Sequence, residues 1–202
     1  VIYTSSGRSA LYMLLRSMYE SKKPFENNPN IIIPGFSCVV VCNAAIAAGF
    51  EVRFADIKKS DFCLDLESVS KLVDSNTVAL VAHHLFGFID ERITEFKLKW
   101  PKIILIEDCS HSLGSTFLDG SPIGSKGDFS FFSFEQSKPI TAWDGGALVV
   151  NNSHSADYRF LHKTKSLMPT ESNWNVIRAL FFLVLYTFCY SPKLYKIGIP
   201  VA

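Results

Sequence analysis

Between Asn30 and Asp108 the chain alternates β-branched runs with segments of helical spacing, and this rhythm restricts the fold more than any other feature. "NIIIPGF" reads as a short buried strand that stops at Pro34. "CVVVCNAAIAAG" is Ala-rich in its second half and ends in Gly49, the pattern of a buried helix with a glycine C-cap. "EVRFADI" alternates as a strand, "LDLESVSKLVDS" has the Asp/Ser start of an amphipathic helix, and "TVALVAHHLF" is a strand again. "DERITEFKLKW" and "KIILIED" complete the series as helix and strand. Such alternation predicts an α/β fold with a mostly parallel central sheet and flanking helices. Ahead of it, "VIYTSSGRSAL" is a strand-to-helix junction, and Leu11, Leu14, Leu15 and Met18 recur at helical spacing. After residue 110 the rhythm changes. "DFSFFSF" and "GGALVVN" are strands joined by too short a loop for a crossover helix, so an antiparallel part of the same sheet is expected.

In open α/β sheets ligands sit beyond the carboxyl ends of the strands. Those ends carry Ser6-Gly7, Pro34-Gly35-Phe36, His83-His84, Glu107-Asp108, Ser133 and Lys138. The formal charge of +1 argues against a general nucleic-acid binder, and no Lys/Arg block is present. With 48% hydrophobic residues over 202 positions, the chain can build one sizeable core. Its five cysteines are irregularly spaced within apolar runs, which favours reduced, buried thiols in a cytosolic protein. Without a CxxC pair or an HExxH motif, no metal site is assigned.

Three weak signals fall in one order along the chain. "YTSSGRSAL" puts hydroxyls and a glycine at the mouth of a helix, which reads as an ordinary Ser N-cap or as a phosphate seat. Asp108 ends a strand, where a partly desolvated carboxylate is an N-cap or salt-bridge partner, or else the mate of a cation, a metal or a protonated ring nitrogen. Lys138 in "SFEQSKPITAWDGG" is either a surface lysine or an amine placed to condense with an aldehyde. Pyridoxal 5'-phosphate needs all three: a helix N-terminus for its phosphate, an Asp for its pyridine nitrogen, and a lysine for its aldehyde.

The segments "SSGRSALYMLL", "IIIPGFSCVVVCNAAIAAGFEVRFADI", "LVAHHLFG", "ILIEDCSHSLGS" and "GDFSFFSFEQSKPITAWDGGALVV" resemble the successive motifs of the DegT/StrS-type sugar aminotransferases. The resemblance runs in unbroken order from about residue 3 to about residue 152. It implies the large domain of a fold type I pyridoxal-phosphate transferase over residues 1–152, with the C-terminal small domain missing. It implies that Lys138 binds the cofactor aldehyde and later moves the proton, and that Asp108 pairs with the pyridine nitrogen. His111 would lie near the phenolic oxygen; Ser133 and the amides of Gly7, Arg8 and Ser9 would hold the phosphate. The implied reaction moves an amino group from glutamate to a keto group of a nucleotide-linked sugar, in surface-polysaccharide or secondary-metabolite synthesis, by a cytoplasmic homodimer. Three positions depart from the pattern. Cys38 stands where an aromatic residue often stacks on the cofactor ring, Arg8 where a small hydroxyl residue is common, and "AWDGG" where a small residue and Glu are usual. Some relatives remove a sugar hydroxyl instead and have His in place of the lysine, so Lys138 ranks dehydration lower. A non-catalytic, membrane-associated homologue is the third reading.

From residue 153 the resemblance fades and an apolar helical extension, 153–202, is expected. Ala179 to Tyr190 is uninterrupted but shorter than the ~20 residues a bilayer span takes. Trp174, Tyr186, Tyr190 and Tyr195 with Arg178, Lys193 and Lys196 give 174–197 the pattern of an interfacial membrane helix. The alternative is a helix that packs on a further domain or a second subunit. The chain opens on a strand-to-helix junction and ends on "IGIPVA" without a cap, the pattern of a piece of a longer protein.

Overall fold

The structure, a computed structural model, describes residues 1–22, 25, 28–151, 157–168 and 172–189. It divides into two units, Val1–Met168 and Pro169–Ala202.

The first unit is built on one seven-stranded sheet. In chain order its strands are β1 (Ile2–Thr4), β2 (Asn30–Pro34), β3 (Glu51–Ala55), β4 (Thr77–His83), β5 (Ile104–Asp108), β6 (Phe129–Ser133) and β7 (Gly146–Val150). Their spatial order is β1-β7-β6-β5-β4-β2-β3. The run from β6 to β3 is parallel, and β7 pairs antiparallel with both β6 and β1. The antiparallel part expected after residue 110 is thus the β6–β7 pair. The chain winds outward from β2 to β3, then crosses to β4 on the other side. The switch point therefore lies between β2 and β4, and ligands in such sheets bind beside it.

The helices cover two faces. α1 (Gly7–Ser21) and α2 (Val39–Ala48) lie on one, where Leu11, Leu14, Leu15 and Met18 are buried with Ile31, Ile33, Val81 and Ile106. Each such side chain stabilises the fold by about 1.5–3 kcal/mol. Gly49 ends α2 in the left-handed region at φ 107, and a Cβ there would come within 2.8 Å of Tyr19. α3 (Leu66–Leu72), capped by Asp65, and α4 (Ile93–Lys99) bury Val69, Ile93 and Phe96 on the other face with Leu80, Leu105 and Phe132. Every strand and helix expected between residues 30 and 108 is present, with one trimming. β4 stops at His83, and Leu85–Gly87 forms a 3-10 turn instead of more strand.

α5 (Asp157–Leu167) belongs to the first unit, and Leu161 is fully buried in its core. One expectation is corrected. Cys63 and Cys109 are buried free thiols as expected, but Cys38 is exposed and Cys42 half-buried. Cys38 is the N-cap of α2, where the chain turns outward at the strand ends. In the second unit α6 (Asn173–Cys189) exposes Trp174, Ile177, Leu180, Phe181, Val184 and Phe188. No described helix is long and apolar enough to cross a membrane. The part of 174–197 beyond Cys189 lies outside the described residues.

Candidate active site

Three strands of the sheet deliver the site. β5 ends in Asp108, β4 ends in His83 directly in register with it, and β6 ends in Ser133. Alternation along a strand sends Ile106 and Asp108 to the α1–α2 face and Glu107 to the other. Beyond β5 the chain turns tightly. Ser110 N–H donates to Asp108 Oδ1 at 3.0 Å, and Ser112 Oγ donates to the carbonyl of His84. That turn brings His111 back over the strand ends.

Lys138 meets it there. Its Nζ is 2.9 Å from His111 Nε2, and both side chains are half-buried. Burial holds the His111 imidazole below its ordinary value, and the Lys138 charge pushes it the same way. The Phe86 N–H reaches His111 Nδ1 at 3.5 Å, so the tautomer of this ring sets which of Nε2 and Nζ donates across their contact. Asp108 and His83 act on the same imidazole, so the four groups form one cluster. The Phe86 ring stacks on His111 at 5.5 Å and 25°. Phe86 has φ 55, a left-handed conformation uncommon for a bulky residue, and it lies next to the amine's partner.

The mouth of α1 closes the other side. A Cβ on Gly7 would lie 2.8 Å from Ser133 Cβ and 3.1 Å from the carbonyl of Phe132, so only glycine lets the helix start approach β6 this closely. The first two helical amides, those of Gly7 and Arg8, have no intrahelical acceptor. Ser9 differs from the expectation, since its N–H donates to Ser6 Oγ at 3.1 Å as a helix cap. Its hydroxyl bonds to Ser6 Oγ as well. The Gly7 and Arg8 amides remain beside Ser133 at this helix start. Cys38 caps α2 at the switch-point end of the sheet without a side-chain bond.

Pyridoxal 5'-phosphate fits this arrangement. It finds an amine, a neutral imidazole beside that amine, a carboxylate whose described bonds include no ion pair, and a helix start packed against a serine.

The sequence placed Glu107 at a strand end but gave it no role of its own. It is fully buried and accepts from the backbone N–H groups of Gly124, Lys126 and Gly127. His84 Nε2 lies 3.0 Å away, while His84 Nδ1 accepts from Asp90 N–H. The ring therefore carries its proton on Nε2 and donates it to Glu107. Glu107, His84 and Cys109 lie close enough together to hold a metal ion, yet the imidazole and the carboxylate are already spent on protein partners. The signal that could have found Glu107 is its parity: next to Asp108 on one strand, it has to point to the other face.

Residues 1–177 match the family model described as the DegT/DnrJ/EryC1/StrS aminotransferase family. A UDP-4-amino-4,6-dideoxy-N-acetyl-beta-L-altrosamine transaminase of Campylobacter jejuni is 33% identical over 151 residues, 73% of this chain and 38% of that protein. A GDP-perosamine synthase of Vibrio cholerae is 27% identical over 172 residues, 85% of this chain and 45% of that protein. Among solved structures, Helicobacter pylori PseC, an aminotransferase involved in the biosynthesis of pseudoaminic acid, superposes with a TM-score of 0.70 at 28% identity. It covers 85% of this chain and 45% of its own. The chain thus spans less than half the length of these relatives. By its sheet order, its site and this match, the chain belongs to the DegT/DnrJ/EryC1/StrS aminotransferase family, on the fold of the pyridoxal-phosphate aminotransferases of fold type I.

Proposed function

We propose that this chain is the cofactor-holding part of a pyridoxal-phosphate aminotransferase that moves an amino group from glutamate to a keto group of a nucleotide-linked sugar. The observation that carries the reading is the 2.9 Å contact of Lys138 Nζ with His111 Nε2, in one cluster with Asp108. The relatives named above, which carry amino-sugar and nucleotide-sugar names, support the substrate class. Lys138 also stands where the dehydrating relatives carry histidine, which favours nitrogen transfer.

The bound cofactor supplies an aldehyde for the amine and a ring that draws electrons from the substrate's reacting carbon. The chain's own residues do the rest. Lys138 would hold the cofactor through Nζ and, once freed, would take and return a proton at that atom. The carboxylate of Asp108 would face the ring nitrogen and favour its protonated form. His111 orients the amine, and Gly7, Arg8 and Ser133 anchor the phosphate. Trp143, held at φ 75 in the loop after Lys138, narrows the substrate entrance. The reading includes a homodimer, with the exposed apolar side chains of α6 as surface for a second subunit or the rest of the protein.

The test is chemical. Full-length protein loaded with pyridoxal phosphate is expected to absorb in the visible and to lose that band on borohydride treatment, with the pyridoxyl label on Lys138 by peptide mapping. With glutamate and a keto-sugar nucleotide it is expected to yield the amino sugar. Absence of the band with the cofactor in excess overturns the proposal.

A further inference from the structure

The end of β4 holds a side chain that the functional reading leaves unused. His83 is 3% exposed and stands in register with Asp108 across the parallel β4–β5 pair. Residues in register on neighbouring strands project from one face. Here it is the α1–α2 face, which Val81 and Ile106 also share. β4 also borders the switch point of the sheet.

The ring's hydrogen can be placed. His83 Nε2 lies 2.7 Å from the carbonyl oxygen of Phe62. A carbonyl only accepts, so Nε2 is the donor and Nδ1 keeps a lone pair. That Nδ1 is buried and has no hydrogen-bond partner among the described residues. Phe62 is held at φ 58, a left-handed backbone, so the tether comes from a strained turn.

Several charged or titratable groups surround this imidazole. Asp108 comes from β5, His84 from the residue just after β4 and Asp90 from the loop before α4. Arg92, Asp61 and Cys63 form the neighbouring loop cluster, and His111 completes the ring of groups. Arg92 is already committed to Asp90 at 2.9 Å. Burial keeps the His83 ring from charging, against the pull of Asp108 and Asp90. Near neutral pH it is an uncharged neighbour of Asp108.

We propose that His83 is a positioning residue for Asp108. Tethered to Phe62 and neutral, it braces one side of the carboxylate and leaves that negative charge whole for the pyridine nitrogen of the cofactor. A proton on Nδ1 creates a second cation beside Asp108, which competes for the same charge and loosens the cofactor. The inference rests on the cofactor reading of the preceding subsection, and its test separates the two.

The first measurement uses apo full-length protein. The His83 Cε1–H resonance is titrated by NMR in the wild type and in Asp108→Asn. Losing the opposite charge of the residue in register with it is expected to lower the His83 midpoint by ~1 unit. An unmoved midpoint overturns the proposal whether or not the cofactor binds. The second measurement is the dissociation constant of pyridoxal phosphate at pH 7.5 and pH 5.5. His83→Gln keeps an N–H for Phe62 but takes no proton, and His83→Asn serves as the second variant. The wild type is expected to lose about 10-fold more affinity on acidification than either variant. Equal losses overturn the proposal. No binding by any of the proteins at pH 7.5 overturns the functional reading and the cofactor half of this one together, while the apo titration still decides the His83–Asp108 coupling.

Discussion

Glu107 and Asp108 are the same kind of acid, adjacent on one strand, and they live in opposite environments. Glu107 faces the α3–α4 side, has no exposure and takes four donors from two separate parts of the chain. Asp108 faces the α1–α2 side at the strand end and is only half-buried, with one described bond, from Ser110 N–H. The first carboxylate is spent on structure. It fixes the 124–127 turn ahead of β6, and through His84 it fixes the 84–90 loop. The second accepts from one described donor, and the proposed function sets a cation against it. A saturated acid behind an open one is how a strand end can hold a charge at a fixed place without consuming it.

The comparison can be broken in stages. Largest is the dissociation between activity and stability. Lys138→Ala is expected to lower amino transfer on the order of 10³-fold or more while moving unfolding by only ~0.5 kcal/mol. Glu107→Ala is expected to do the reverse at the level of the fold, costing about 3–5 kcal/mol because several buried donors lose their acceptor. Steady-state rates set against urea unfolding midpoints check both, and a Glu107→Ala protein as stable as the wild type would remove the structural role. Next is the helix mouth. In Gly7→Ala the new methyl meets Ser133 Cβ at 2.8 Å, so α1 has to back away at a cost of about 1–3 kcal/mol. Weaker cofactor binding in an otherwise folded protein, read by equilibrium dialysis, is the expected sign.

The smallest effect is on pH. His83 and His111 both have folded values below the ordinary 6.5. The unfolded chain therefore takes up protons first as pH falls below 6.5, and stability drops until the folded values are passed. Urea midpoints measured at pH 7.5 and 5.5 should decrease in that order. The decrease should shrink in His83→Gln, which removes one of the two groups.

Much of this was legible before any coordinates. Periodicity marked every element from β2 to β5, and of the ordered triplet of helix mouth, strand-end acid and lysine, the structure brings the acid and the lysine together around His111. Other features were not legible. That Ser9 spends its amide on Ser6 depends on the rotamer of a cap. That α5 joins the first unit depends on Leu161 finding the core beneath α1, which a short amphipathic segment does not announce. That Cys38 is exposed depends on where α2 begins relative to the end of β2, a matter of one turn.

The sequence by itself determined which segments are strands and helices, and the parity that separates Glu107 from Asp108. These are local properties, written in spacings of two and about three and a half residues. Tertiary structure alone decided that Lys138 reaches His111 across 27 positions and that His83 meets Phe62 across 21. Such meetings follow from how loops close over a packed sheet, and no single segment carries the energy that selects them.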